Sequence, residues 1–177
     1  SSYRKAIQLK PNFAEAHSNL GIILKDLGKL KEAESSFHKA IDLKSDFANA
    51  HYNLGIILGS LGQSQEAESS LRKAIELKSD YVHAHSNLGN ILKDLGKLKE
   101  AESSLRKAIE LKPDYAEAYF NLSLIELLKG NYQSGLENYE FRFKTKKPPI
   151  RDINTNLKRL NNQKLQQGEK LLVISEQ

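Results

Sequence analysis

The 177-residue chain contains no cysteine and no methionine. Without cysteine it forms no disulfide and builds no thiolate metal site, and the composition fits a reducing, cytoplasmic compartment. Without methionine it is expected not to begin at a natural start and to be a piece of a longer protein. Long apolar runs are missing too. Each apolar stretch is cut by Lys, Asp, Asn or Glu within a few residues, which excludes a membrane-spanning helix. No secretory signal stands at the N-terminus.

The charge is unevenly spread. From Phe141 onward nine Lys or Arg stand against Asp152, Glu169 and Glu176, whereas residues 1–140 carry 18 basic and 19 acidic groups. The net charge of +5 is therefore a property of a basic C-terminal stretch.

What the chain does have is repetition. Residues 14–47, 48–81, 82–115 and 116–147 are copies in one frame with a period of 34, and the first and third differ at only eight positions. A fixed period in this range marks a stacked repeat array, in which each unit is completed by its neighbours. Residues 1–13 align with the second half of a unit, so the chain is expected to open on the second helix of a truncated repeat.

Each unit reads as two helices. Leu20, Ile23, Leu24 and Leu27 recur at helical spacing, and Leu30, Ala33, Phe37, Ala40, Ile41 and Leu43 follow in a second run. Asn12, Asp46, Asp80 and Asp114 are expected to cap the first helices. Gly28, Gly62, Gly96 and Gly130 are expected to close them in the left-handed conformation.

The pattern resembles the tetratricopeptide repeat. Its offsets are filled here by His85, Leu88, Gly89, Leu92, Ala101, Leu105, Ala108 and Pro113, and in the first unit by His17, Leu20, Gly21, Leu24, Ala33, Phe37, Ala40 and Ser45. The resemblance covers about residues 1–147 and implies an all-α solenoid, a right-handed superhelix of antiparallel helix pairs. The fourth unit drifts: Ser123 replaces Gly, Glu126 the Tyr-like residue, Gly135 the first Ala and Arg142 the second. Terminal repeats are often atypical because one face lacks a neighbour.

Pro148-Pro149 cannot continue a helix, which sets the repeat boundary there. Within 148–177, Thr155–Gln167 reads as a linker or short helix, with Leu157, Leu160 and Leu165 at roughly helical spacing. Residues 170–175 (KLLVIS) read as an orphan strand of a missing domain. The segment from Tyr139 through PPIR to LLVISEQ resembles the junction of bacterial repeat proteins that continue into a glycosyltransferase-like domain.

The tetratricopeptide resemblance puts each first helix on the concave surface and points Asn19, Asn53, Asn87 and Asn121 into the groove. An amide both donates and accepts, matching the N–H and C=O of an extended peptide. Packed helices lie ~8–10 Å apart and an extended chain advances ~3.3–3.6 Å per residue, so successive Asn would meet about every third residue. The arrays of O-linked N-acetylglucosamine transferases are similar here, with Asn at the same offset. The other reading is that this Asn is repeat consensus bridging adjacent first helices, and the sequence leaves both open.

Other groove offsets vary. Ser18, Tyr52, Ser86 and Phe120 share one; Ile22, Ile56, Asn90 and Leu124 the next; Lys25, Gly59, Lys93 and Leu127 a third. Tyr52 and Phe120 are candidate anchors, with local packing as the competing role. Asn90, Lys25 and Lys93 would adjust preference. The cations with which some family members hold a terminal carboxylate are replaced here by Ser18, Ile22, Ser86 and Asn90.

His17, His51 and His85 recur one unit apart, which says packing rather than chemistry, and the paired serines lack a base. The sequence shows no nucleophile elbow, phosphate loop or metal-spaced cluster, so neither a catalytic site nor a cofactor is expected. The basic stretch Arg142–Arg151 reads as a solvated linker more readily than a nucleic-acid contact. The expected function is a protein-interaction scaffold binding an extended peptide or partner protein, without nucleic acid. The alternative is the substrate-docking arm of a repeat-fused glycosyltransferase, either O-GlcNAc-transferase-like or sugar-nucleotide-dependent. Self-association through exposed repeat ends is a further expectation.

Overall fold

The structure, a computed structural model, describes residues 7–144. Residues 7–9 are helical and precede the first full unit. Unit one is α1 (Ala14–Asp26) and α2 (Leu30–Leu43); unit two is α3 (Ala48–Ser60) and α4 (Ser64–Leu77). Unit three is α5 (Val82–Asp94) and α6 (Leu98–Leu111); unit four is α7 (Ala116–Leu128) and α8 (Tyr132–Tyr139), followed by a 3-10 turn over Glu140–Lys144. The fold among the described residues is an all-α repeat solenoid.

The turn inside each unit follows from its glycine. Gly96 adopts φ 75°, a conformation side chains with a Cβ rarely take. This lets Gly96 N–H donate to Lys93 O at 2.9 Å and Lys97 N–H to Leu92 O at 2.8 Å, the paired bonds that close a helix C-terminus. Gly28, Gly62 and Gly130 have the same conformation.

The first-helix caps differ from the sequence reading. Phe13, Phe47, Tyr81 and Tyr115 occupy the N-cap positions, with no side-chain cap bond, and Asn12, Asp46, Asp80 and Asp114 stand one residue further out. Two of these cap residues pack on other rings. Tyr81 lies against Tyr52 at 4.7 Å between centroids, and Tyr115 meets His83 edge-on at 5.2 Å. A lysine three residues earlier covers each ring: Lys10, Lys44, Lys78 and Lys112 sit 5.2–5.4 Å from the centroids.

The core is a continuous layer between helices and not a central globule. One cluster joins Leu24, Ala33, Phe37, Leu54, Ile57, Leu58 and Ala67; the next joins Leu71, Leu88, Leu92, Ala101, Leu105, Leu122 and Ile125. Ile91 packs against both. Within unit three the helices approach so closely that a Cβ on Gly89 would stand 2.5 Å from Leu105 Cγ. In unit four the small residue changes sides: Ser123 is fully buried and donates to Phe120 O at 2.6 Å, while Gly135 faces Leu127 from the second helix.

The recurring histidines are structural. Nε2 of His17, His51 and His85 lies 2.9 Å from the carbonyl oxygens of Pro11, Ser45 and Ser79. Because a carbonyl only accepts, each ring donates N–H and ties the inter-unit loop to the next first helix. In unit four Tyr119 takes this place and stacks on Phe141 of the 3-10 turn, at 4.0 Å and 13°.

Successive first helices touch along the array, whereas successive second helices make no close backbone contact among the described residues. The first helices therefore lie on the inside of the curve. At the C-terminal end Leu128, Tyr132 and Leu136 are exposed. The repeat boundary at Pro148, the segment Thr155–Gln167, the strand over 170–175 and the basic stretch after Lys144 lie outside the described residues.

Candidate peptide-binding groove

The inner helices α1, α3, α5 and α7 each carry one asparagine of the row, and Asn19, Asn53, Asn87 and Asn121 are all half-buried. Two have partners. Asn53 Nδ2 donates to Asn49 O at 2.9 Å. Asn87 Nδ2 donates to His83 O at 2.9 Å and to the Tyr52 hydroxyl at 3.2 Å. The last bond crosses from one unit to the next, so at this position the asparagine does bridge adjacent first helices, as one of the two sequence readings had it. The amide oxygens of Asn53 and Asn87 accept no hydrogen bond among the described residues, which leaves both as acceptors.

The candidate anchors are half-buried and engaged. Tyr52 lies beside Tyr81, the rings tilted by 35°. Burial pushes the Tyr52 phenol up, with the Asn87 bond opposing, and Tyr81 is pushed up to about 12 by burial and then by Tyr52. Burial also raises Tyr115, whose hydroxyl lies 2.9 Å from His83 Nδ1. All three phenols are therefore neutral in the neutral range, and Tyr52 and Tyr115 act as hydrogen-bonding groups. Phe120 lies 5.7 Å from Tyr139 between centroids, so the end of α8 covers part of it.

One turn further on, Ile22, Ile56, Asn90 and Leu124 are half-buried, and Asn90 Oδ1 is buried without a hydrogen-bond partner. Beyond them Lys25 stands 3.9 Å from Asp26 and Lys93 3.6 Å from Asp94, which tempers each charge. Gly59 breaks this cationic row, and a Cβ there would stand 2.9 Å from Ile91 Cδ1. The groove thus runs from a lysine-bearing end at unit one to Phe120, Leu124 and Leu127 at unit four.

Away from the groove, charges link consecutive units, a feature the sequence reading missed. Glu68 accepts from Arg72 at 2.9 Å and from Lys97 of the next unit at 2.8 Å, and Arg72 also reaches Glu100 at 2.6 Å. One unit on, Glu102 accepts from Arg106 at 2.9 Å and Lys129 at 2.5 Å. Arg106 also meets Glu126, only 2% exposed, which takes a second bond from Asn138 Nδ2 at 2.8 Å. Glu126 sits where the other units place Leu24, Leu58 and Leu92. The recurrence of Glu68 and Arg72 as Glu102 and Arg106, 34 residues on, was the available signal.

A shallow pocket on α6, lined by Lys99, Glu102, Ser103, Arg106, Lys107 and Glu110, is a single helix face. Its Arg106–Glu102 and Lys107–Glu110 pairs already satisfy one another. Among the described residues no group of three or more His, Cys, Asp or Glu is placed to hold a metal, and no helix is long and apolar enough to cross a membrane.

Comparison with known proteins agrees with the architecture. The family model described as "Tetratricopeptide repeat" matches residues 12–80, and the one described as "TPR repeat" matches residues 89–130. No curated protein sequence matches the chain. Among solved structures it is similar to a MamA crystal structure, with 27% identity, a TM-score of 0.74, and coverage of 80% of this chain and 83% of that one. It is similar to the first TPR of Spaghetti (RPAP3) bound to the HSP90 peptide SRMEEVD, with 26% identity, a TM-score of 0.65, and coverage of 66% and 93%. It is also similar to a Thermobaculum terrenum O-GlcNAc transferase, with 27% identity and a TM-score of 0.61, over 64% of this chain and 22% of that one.

Proposed function

The chain belongs to the tetratricopeptide-repeat family, a protein-interaction scaffold, and we propose that its concave face binds an extended peptide or an extended segment of a partner protein. One observation carries the proposal. Four asparagines stand at the same place on four successive inner helices, and the amide oxygens of Asn53 and Asn87 remain as acceptors for peptide N–H groups. Such a row reads backbone first. Asn90, Lys25, Lys93, Tyr52 and Phe120 then weight particular side chains. The similar RPAP3 structure holding a peptide supports this use of the fold.

In this reading the repeats act by binding, without catalysis or cofactor of their own, on a protein partner in the cytoplasm. A second reading is favoured by the likeness to an O-GlcNAc transferase, of which the match covers 22%. There the same groove is the arm that presents a protein substrate to a transferase domain. Self-association through the exposed Leu128, Tyr132 and Leu136 is a separate proposal, and sedimentation over a concentration series that shows only monomer removes it.

The test uses short linear peptides selected by display against the chain. Asn53→Ala combined with Asn121→Ala should weaken them roughly tenfold or more, two lost hydrogen bonds being worth about 0.5–1.5 kcal/mol each, with helicity unchanged. Equal affinity in the double variant overturns the proposal.

A further inference from the structure

The four rungs of the asparagine row are not equivalent, and the residue before each one explains why. In units one and three that residue is a serine, Ser18 or Ser86, each only 3% exposed. Near Ser86 the Tyr115 hydroxyl lies 2.9 Å from His83 Nδ1, and Ser86 works against the burial that raises the Tyr115 phenol. In unit two Tyr52 instead lies beside Tyr81, at 4.7 Å, and carries its hydroxyl across to the next unit's Asn87.

The amide of Asn87 has two N–H groups, and the structure engages both. One goes to His83 O at 2.9 Å and the other to Tyr52 Oη at 3.2 Å. Asn53 engages only one, on Asn49 O at 2.9 Å. The second rung therefore still offers a donor and an acceptor, and the third offers an acceptor alone.

We propose that Tyr52 is a specificity-determining residue of the groove. By holding the Asn87 donor it makes the third rung acceptor-only. An extended peptide then binds in registers that set an N–H against Asn87 Oδ1, from the backbone or a donor side chain. Proline or an N-alkylated residue is refused at that place. The inference rests on the peptide-groove reading and deepens it.

The probe is one display-selected linear peptide, resynthesised as a series with a single N-methyl group at each successive backbone nitrogen. Its dissociation constants are measured on the unaltered chain, on Tyr52→Phe and on Asn53→Ala. Tyr52→Phe keeps the ring on Tyr81 and removes only the hydroxyl. On the unaltered chain N-methylation opposite the third rung should cost roughly tenfold. On Tyr52→Phe the freed Asn87 N–H donates to a peptide carbonyl there, and the penalty at that one position should fall to about threefold or less. The penalties at other positions should stay as they were. If Tyr52→Phe is destabilised, Tyr52→Ser, the residue of units one and three, makes the same comparison. An N-methyl profile unchanged by either variant, with Asn53→Ala still weakening the peptide, overturns this inference and leaves the groove standing. Indifference to Asn53→Ala overturns the groove reading and the inference with it.

Discussion

Lys97 Nζ lies 2.8 Å from Glu68 Oε2, across the junction between the second and third units. The pair belongs to a chain of contacts through Arg72 and Glu100, and the next junction repeats it with Glu102, Arg106 and Lys129. The solenoid is thus held by charge at its edge as well as by apolar stacking between helices. The distribution of these contacts makes the junctions unequal.

The first prediction concerns acid. The Lys97 bond, helped by Arg72, holds the Glu68 carboxyl below its ordinary value of 4.5, and Lys129 and Arg106 do the same for Glu102. A depressed carboxylate contributes stability that is present above its unfolded pKa and is lost as pH falls through the lowered folded one. Urea denaturation between neutral pH and about pH 3 should therefore show stability declining below the ordinary carboxylate range. Glu68→Gln with Glu102→Gln should be less stable at neutral pH and should decline less steeply. An identical slope in the double variant contradicts the assignment.

A second prediction follows from the junction that lacks the contacts. Glu34 pairs with Lys31 in its own helix, at 3.1 Å. His38 and Gln63 stand where units two and three place Arg72 and Lys97, and Gln63 Oε1 is buried without a partner. His38→Arg with Gln63→Lys should carry the network to this junction and stabilise the chain by about 0.5–1 kcal/mol at low salt, with the gain shrinking as salt is added. A urea midpoint that does not rise would show that the network adds nothing there.

The third prediction separates the histidines from function. His51→Ala removes a ring N–H from the Ser45 carbonyl and should cost about 1 kcal/mol in stability. Peptide affinity should stay within about twofold, because the ring points to the loop and not to the groove. A large loss of affinity with unchanged stability would reverse that assignment.

The fourth concerns close packing. Gly89→Ala places a methyl 2.5 Å from Leu105 Cγ, inside a layer where Ala101 and Leu105 are fully buried. It should cost about 1–3 kcal/mol. Gly96→Ala should destabilise through strain alone, since a Cβ there meets nothing within 4 Å at φ 75°. A cost at Gly89 that Leu105→Ala fails to relieve would contradict the steric account.

The fold was legible because the repeat writes each contact four times over. Leu88, Gly89, Ala101 and Leu105 read directly as the packed faces they form. The local caps were misread because Asp80 and Asp114 satisfy a capping rule, while the N-cap positions are held by Tyr81 and Tyr115, whose rings pack on Tyr52 and His83 at the other end of the same unit. Glu126 read as a lapse in the pattern, yet Arg106 and Asn138 hold its buried carboxylate. In the groove the asparagine row was visible from its spacing. The Tyr52–Asn87 bond was not, because it depends on where the Tyr52 side chain packs between two units, which residue spacing does not state.

The most direct measurement of the account is a nitrogen-15 NMR titration with a display-selected peptide, following the asparagine side-chain amides and the arginine Nε signals together. The account predicts saturable shifts at Asn19, Asn53 and Asn121, with smaller changes at Asn87 while Tyr52 holds it, and none at Arg72 and Arg106 on the outer edge. Shifts confined to the outer arginines, with the asparagine amides unmoved, would contradict a ligand in the concave groove.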